Sequence, residues 1–182
     1  MLAPGDTVDR YVVLAPVGAG GQATVYKARD VASGAVVALK LVALIGRASA
    51  DARARREAHV LARLVHPSLV RCHRSFEDDR RRVVGMVLEW VQGTTLDRAR
   101  EDPRWVSAHT HAALVHVASA LAKLHEHGVV HRDLKGSNVL VSDAFLARPT
   151  DPSSIKLADL GIATGLGNPD ALTSVGFVVG TP

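Results

Sequence analysis

The sequence has little cysteine, few aromatic residues and no long uncharged hydrophobic run. Cys72 is the only cysteine in 182 residues, so no disulfide can form within the chain. The longest apolar stretch, residues 35–45, is interrupted by Lys40 and is far shorter than the roughly 20 residues that a membrane-spanning helix needs. The first ten residues lack the basic start and apolar run of a secretory signal. The sequence therefore predicts a cytosolic segment that does not enter a membrane, while sequence outside this segment could tether the native protein to one.

The charge is moderately basic, with a formal net charge of +4 at pH 7. Two arginine clusters, at residues 53–56 and 80–82, admit a nucleic-acid interpretation, but no aromatic residues alternate with these arginines. We favour solvated helix and hairpin surfaces, and we predict no nucleic-acid partner. The nine histidines suggest a metal site, yet their spacing and the single cysteine do not follow the usual ligand patterns of zinc. We expect no histidine metal site.

The first 90 residues alternate strand-like runs with turn signals, and they contain one helical repeat. Residues 11–17, 24–29, 35–42, 69–76 and 83–89 are the predicted strands. Residues 51–65 carry apolar side chains at helical spacing, namely Ala54, Ala58, Leu61 and Leu64. His66 precedes Pro67, and the residue before a proline is biased away from the helix. The pattern indicates a small twisted sheet with one helix.

The second half of the sequence is dominated by one long predicted helix. We expect Ser107 to cap this helix and residue 127 to end it, with Gly128 in the left-handed region after its last turn. The predicted apolar stripe of the helix is Leu114, Val117, Ala118, Leu121 and Leu124. Short strands are predicted at residues 129–130, 139–141 and 155–157, with residues 142–154 as a polar connection.

Two features of the first half indicate a phosphate-binding surface. Gly18, Gly20 and Gly21 lie between two predicted strands, where residues without a Cβ allow close approach of a ligand; an ordinary turn is the alternative. Lys40 lies inside an apolar strand, and burying its charge requires an anionic partner. Glu57 on the following helix could supply that partner. A lysine that extends along the sheet edge to water is the other interpretation.

Two further motifs in the second half of the sequence indicate which family the chain resembles. Residues 131–138 read His-Arg-Asp-Leu-Lys-Gly-Ser-Asn, and residues 159–161 read Asp-Leu-Gly. With the glycine-rich turn and the lysine strand, they resemble the bacterial eukaryotic-like (Hanks-type) serine/threonine protein kinases. The 131–138 string fits the family pattern at each fixed position. Three departures are mild: Ala23 replaces a glycine, Gly136 stands where many members have proline, and Leu160 replaces phenylalanine.

The resemblance implies an α+β, bilobal protein-kinase-like fold. A complete N-lobe, with a five-stranded antiparallel sheet and one helix, would comprise residues 1–88. Residues 89–182 would form the hinge and a partial C-lobe that ends before the Ala-Pro-Glu signature of the family. Residues 179–182 resemble the stretch just before that signature, so we expect the sequence to stop inside the activation segment.

The resemblance also implies transfer of the γ-phosphate of Mg-ATP to a serine or threonine hydroxyl of a protein substrate. Asp133 would accept the proton of that hydroxyl, and Lys135 would steady the γ-phosphate. Asn138 and Asp159 would bind magnesium, while Lys40, paired with Glu57, would hold phosphate oxygens. The other cofactor-binding residues implied are Val17, Gly18, Gly20, Gly21, Val25, Ala38, Leu88, Leu140 and the backbone of Glu89 and Val91.

Two further expectations concern regulation and activity. Arg132, next to Asp133, implies pairing with a phosphate on the activation segment, with Thr173 and Ser174 as candidate sites of autophosphorylation. Because the later helices of the family's lower lobe are missing from this sequence, a truncated, non-catalytic nucleotide-binding or interaction module is the alternative to an active kinase. The sequence retains each residue that the family uses to bind phosphate, to bind magnesium and to act as the base. This retention favours an active kinase.

Overall fold

The computed structural model describes residues 1–19 and 23–159, without the side chains of Arg53 and Glu57. The chain divides into two compact units, the first formed by residues 1–64 and 71–90 and the second by residues 65–70 and those from 91 onward. Within the described part of the chain, no helix is both long and apolar enough to cross a membrane.

The first unit contains one antiparallel sheet. Its strands are β1 (Thr7–Val8), β2 (Tyr11–Ala19), β3 (Ala23–Asp30), β4 (Val36–Ala43), β5 (Cys72–Asp78) and β6 (Val83–Glu89), in the order β1-β2-β3-β4-β6-β5. The five predicted strands are confirmed, but the predicted five-stranded sheet has six strands because β1 pairs with β2. With two residues, β1 is too short to show an alternating pattern in the sequence.

One face of this sheet forms the hydrophobic core of the first unit. Tyr26, Leu39 and Val87 are neighbours across β3, β4 and β6, and each is at most 2% exposed. Tyr11 and Val13 of β2 belong to the same buried cluster. Since successive side chains of a strand point to opposite faces, the residues between these positions belong to the other face of the sheet.

Helix α1 (Ala48–Arg63) packs against β5 and β6. It buries Ala54, Ala58 and Leu61, three of the four apolar residues whose spacing predicted it. The helix begins three residues before the predicted start, after a turn that the carboxylate of Asp51 stabilises by accepting the N–H groups of Ile45 and Gly46. The backbone of Leu64 is extended, so the helix ends before the proline restricts it.

The second unit combines a small sheet with a long helix. Its elements are β7 (Gly93–Thr95), α2 (Leu96–Ala99), α3 (Ser107–Glu126), β8 (Val139–Ser142) and β9 (Ile155–Leu157), and the antiparallel sheet has the order β7-β8-β9. The predicted strand at residues 129–130 is wrong, because the N–H of Val129 donates to Leu124 O at the helix end. Ser107 is the first residue of α3, not its cap; Val106 precedes it, and its N–H donates to His109 Nδ1.

The buried face of α3 differs from the predicted stripe. The buried residues are Ala113, His116, Val117, Ala120 and Leu124, whereas Leu114 is 63% exposed. Alanine, valine and leucine occupy most of the helix surface, so apolar spacing alone did not identify the packed side. Burial of His116 depends on a hydrogen bond between its Nε2 and Pro149 O, 2.8 Å apart, which attaches the β8–β9 connection to the helix.

Candidate active site

The loop of residues 131–138, which joins α3 to β8, is held in place by its buried histidine. His131 is 2% exposed, and its Nδ1 accepts the N–H of Asp133 at 3.3 Å. Its Nε2 lies 3.0 Å from Ala158 O. Because a carbonyl oxygen only accepts, the hydrogen of the neutral ring must be on Nε2. One side chain therefore connects Asp133 to the strand end just before Asp159.

The backbone adopts a strained conformation at two candidate site residues. The φ angle is 66° at Arg132 and 50° at Asp159, in the left-handed region that non-glycine residues rarely adopt. Such conformations cost of order 1–3 kcal/mol each and are concentrated at functional sites, where the surroundings enforce them. The other two described non-glycine examples, Asp9 and Arg82, lie in turns between strands.

The carboxylate of Asp133 is fixed by two neighbours from its own loop. Asn138 Nδ2 donates to Asp133 Oδ2 at 3.1 Å and to Asp133 O at 2.8 Å. Lys135 Nζ lies 2.8 Å from the same Oδ2. Asn138 is buried within a short 3₁₀ turn, while the side chain of Asp133 is 42% exposed. The buried Asn138 therefore fixes the orientation of a carboxylate that solvent can reach.

The chemistry of Asn138 fits a hard cation. Its side-chain N–H groups are directed to Asp133, so the carboxamide oxygen is the atom that remains for a ligand, and Mg²⁺ prefers oxygen ligands. Asp159 directly follows the strand segment that His131 binds. In the part of the chain that the structure describes, no group of three or more His, Cys, Asp or Glu could hold a metal ion. A pair such as Asn138 and Asp159 suits magnesium, which usually takes one or two protein ligands and completes its shell with water and phosphate.

The sheet of the first unit brings four candidate nucleotide-binding residues to one face. Val25 pairs with Lys40 across β3 and β4, and Ala38 pairs with Leu88 across β4 and β6. Directly paired residues project to the same side, which here is the face opposite the core. Lys40 is 9% exposed, so its ammonium group lies in a largely desolvated position. Gly18 pairs with Val25 on the neighbouring strand.

The remaining predicted residues are distributed as follows. In the first unit, Val17 is exposed, and the N–H of Glu89 donates to Arg71 O, so a ligand bond at Glu89 must use its carbonyl oxygen. In the second unit, Leu140 on β8 pairs with Thr95 and is half-buried, as is Val91. Gly20, Gly21 and the side chain of Glu57 lie outside the described residues, so the Lys40–Glu57 pair stays a prediction.

One acidic residue near the 131–138 loop was not found by sequence analysis. Asp97 of α2 places its carboxylate against Gly136, so close that a Cβ on this glycine would overlap Asp97 Oδ1. No motif marks Asp97, and it lies far from the loop in sequence. The glycine at position 136 was noted, but nothing in the sequence indicated what occupies the space beside it.

Burial lowers the pKa of His131 below its ordinary value near 6.5, although the bond to Ala158 and the charges of Asp133 and Asp159 oppose this shift. The unfolded chain therefore takes up a proton on this histidine more readily than the folded chain. The stabilisation is complete above about pH 6.5 and decreases as the pH falls below that value. Protonation of Nδ1 would also remove the acceptor for the Asp133 N–H.

We expect the free energy of unfolding to be lower at pH 5.5 than at pH 7.5, and this decrease to be smaller in His131→Phe. Urea titrations of both proteins at the two pH values, in EDTA and without nucleotide, would measure the difference. Equal decreases in the parent and the variant would show that His131 does not contribute.

Comparison with known proteins identifies the family. Residues 11–182 match the family model described as protein kinase domain, and the chain belongs to this family. Its curated relatives are serine/threonine-protein kinases. It is 34% identical over 177 residues to serine/threonine-protein kinase 36 of Pongo abelii, covering 96% of this chain and 12% of the relative. It is 35% identical over 189 residues to pkn2 of Myxococcus xanthus, covering 100% of this chain and 22% of the relative.

Solved structures confirm the α+β protein-kinase-like fold. The crystal structure of the Mycobacterium tuberculosis PknI kinase domain is similar with a TM-score of 0.68 and 29% sequence identity. The similarity covers 90% of this chain and 64% of the PknI chain. The chain thus spans less than two thirds of that domain and at most 22% of the two curated relatives described above.

Proposed function

We propose that the protein is a serine/threonine kinase that transfers the γ-phosphate of Mg-ATP to a hydroxyl group of a protein. The observation that carries this proposal is the arrangement around Asp133, whose carboxylate is oriented by Asn138 and Lys135 and is accessible to solvent. Membership of the protein kinase family and the serine/threonine-protein kinases among its relatives support it. The assignment of residues 1–88 and 89–182 to the two lobes and the cytosolic location stay predictions.

Different side chains would bind the adenine ring, the phosphates and the magnesium ion of Mg-ATP. In the first unit, Val25, Ala38 and Leu88 would offer an apolar surface to an adenine ring, and Val17 and Gly18 would also contact the nucleotide. In the second unit, Val91 and Leu140 stay predicted nucleotide-binding residues. Lys40 would hold phosphate oxygens, because a desolvated ammonium binds an anion more strongly than a solvated one. Asn138 and Asp159 would hold magnesium. When bound, Mg-ATP supplies the phosphoryl group and the neutralisation of its developing charge.

Asp133 would act as the base for the substrate hydroxyl. Asn138 Nδ2 and Lys135 Nζ both contact its Oδ2 and fix the direction of the carboxylate. General-base catalysis of this kind contributes about 10²–10⁴-fold. Lys135 would balance the charge of Asp133 before a phosphate is present, and its flexible side chain allows it to turn to the γ-phosphate afterwards.

We also propose autophosphorylation at Thr173 or Ser174, both of which lie outside the described residues. The exposed Arg132 next to Asp133 supports this, because a guanidinium group binds a phosphate through two parallel hydrogen bonds. A phosphate on the segment that follows Asp159 would be a dianion of the kind that a guanidinium group binds.

The proposal is tested by incubating the product of the complete gene with Mg-ATP labelled in the γ-phosphate and a mixture of protein substrates. We expect label on serine and threonine, ADP formed in step with it, and a phosphopeptide that contains Thr173 or Ser174. ATP binding without transfer would favour the non-catalytic module, and absence of binding would overturn both functions. Transfer to substrates with Thr173 and Ser174 unlabelled would contradict only autophosphorylation.

A further inference from the structure

A carboxylate occupies the space beside Gly136 in the 131–138 loop. A Cβ at position 136 would overlap Asp97 Oδ1 and would lie 2.6 Å from Asp97 Cγ. Real Cβ atoms do not approach other heavy atoms so closely, so the carboxylate can take this position only because residue 136 is glycine. Both residues belong to the second unit, in which α2 packs against the 3₁₀ turn Gly136–Asn138.

Two other carboxylates of the second unit are paired with cations. Asp133 is paired with Lys135 at 2.8 Å, and Asp102 is paired with Arg104 at 2.6 Å. Asp97 is exposed, and no hydrogen bond or ion pair joins its side chain to any residue that the structure describes. Lys135, a cation of the same loop, is directed to Asp133. A negative charge beside the loop is therefore left for a cation from another molecule.

Asp97 lies within reach of a residue next to the acceptor. Gly136 follows Asp133 by three positions, so their Cα atoms are at most about 11 Å apart. A substrate hydroxyl must approach the carboxylate of Asp133 to lose its proton. An extended substrate advances roughly 3.3–3.6 Å per residue, and an arginine or lysine side chain adds several ångströms. A basic residue within about four positions of the acceptor can therefore contact Asp97.

We propose that Asp97 is a substrate-specificity residue that favours serine and threonine acceptors with a nearby arginine or lysine. The proposal rests on the kinase function proposed above. Arginine fits best, because its planar guanidinium group binds both carboxylate oxygens at once. An acidic residue near the acceptor would be disfavoured by repulsion from Asp97 and by the lack of a partner cation. Gly136 contributes to this specificity because the absence of a Cβ leaves the space that the Asp97 carboxylate occupies.

A positional peptide library with one fixed residue at each position around a central serine or threonine tests the proposal. The readout is the ratio of phosphate transfer for arginine to that for glutamine at each position within four residues of the acceptor. We expect a ratio of about 5 in the parent, which is the size of an exposed charge interaction, and a ratio near 1 in Asp97→Asn. Glu101→Gln, which removes an exposed carboxylate from the same segment, is the matched control and keeps the parent ratio.

Gly136→Ala tests whether the position of the Asp97 carboxylate matters, and not only its presence. The added methyl group displaces the Asp97 carboxylate without removing it, so we expect the arginine ratio to fall as it does in Asp97→Asn. The ratio is independent of the total rate, which a change in the loop also affects. An arginine ratio unchanged in Asp97→Asn, or near 1 in the parent, overturns the specificity proposal while the kinase function stands. A parent protein that labels no peptide in any pool, and not itself, overturns the kinase function and the specificity with it.

Discussion

Replacing Asp133 by asparagine is expected to lower the rate of phosphate transfer by about 10³-fold and to leave Mg-ATP binding within about twofold of the parent, the range that loss of a general base produces. Asparagine has nearly the shape of aspartate and still offers an oxygen to Asn138 Nδ2. It cannot take up the proton of a hydroxyl, because a carboxamide is not a base near neutral pH. Substrate and nucleotide would then bind to an intact surface that no longer moves the proton.

The measurement is single-turnover transfer at saturating Mg-ATP, together with calorimetric titration of nucleotide. Asp143→Asn is the matched control, because the side chain of Asp143 is an exposed carboxylate of the same unit. The backbone N–H of Asp143 donates to Gln92 O, and this bond is unaffected by the substitution. This control should transfer phosphate at the parent rate. Parental transfer by Asp133→Asn would show that the base is another group. Loss of nucleotide binding in Asp133→Asn would instead indicate that the ion pair with Lys135 shapes the binding site.

Alternation and turn signals predicted the strands of the first unit, because one face of the sheet is core and the pattern of period two is strong there. Val83–Glu89 and Ile155–Leu157 have the predicted bounds. The missed elements β1, β7 and α2 have two, three and four residues. Such short segments cannot show the alternation of a strand or the repeat of a helix. At residues 129–130, two valines suggested a strand, but the hydrogen bond of Val129 to the end of α3 uses its N–H.

The candidate site is predictable where the chemistry is local to a motif. The 131–138 string named Asp133, Lys135 and Asn138, and their mutual contacts are all within one loop. The bond between His131 and Ala158 joins residues 27 positions apart, and the contact of Asp97 with Gly136 depends on where a short helix packs. No periodicity or composition encodes such contacts, since each depends on the placement of two separate segments. The strained backbone of Asp159 is likewise enforced by its surroundings.

Lys40→Met should lower ATP-dependent transfer by about 10²–10³-fold, the usual effect of removing one preorganised charge or donor from a reacting group. Lys40 is 9% exposed on the sheet face that it shares with Val25 and Ala38. An ammonium group in such a position is expensive to desolvate, and methionine fills a similar volume without a charge. The sheet should therefore stay folded while phosphate binding is lost. The two effects are separable because stability and transfer are measured independently.

Transfer rates are compared with circular dichroism and thermal unfolding of the same preparations. Lys40→Arg sharpens the test, because arginine keeps the positive charge but replaces a compact ammonium by a larger planar group. We expect it to lose transfer as well, because at a position that is only 9% exposed the larger guanidinium group would displace its neighbours or place its charge differently. Lys123→Met is the control: this lysine forms an exposed ion pair with Glu126 on α3, worth at most about 1 kcal/mol. If Lys40→Met is folded and transfers phosphate at the parent rate, Lys40 does not bind the phosphates. Another cation would then have to bind them beside the glycine-rich turn.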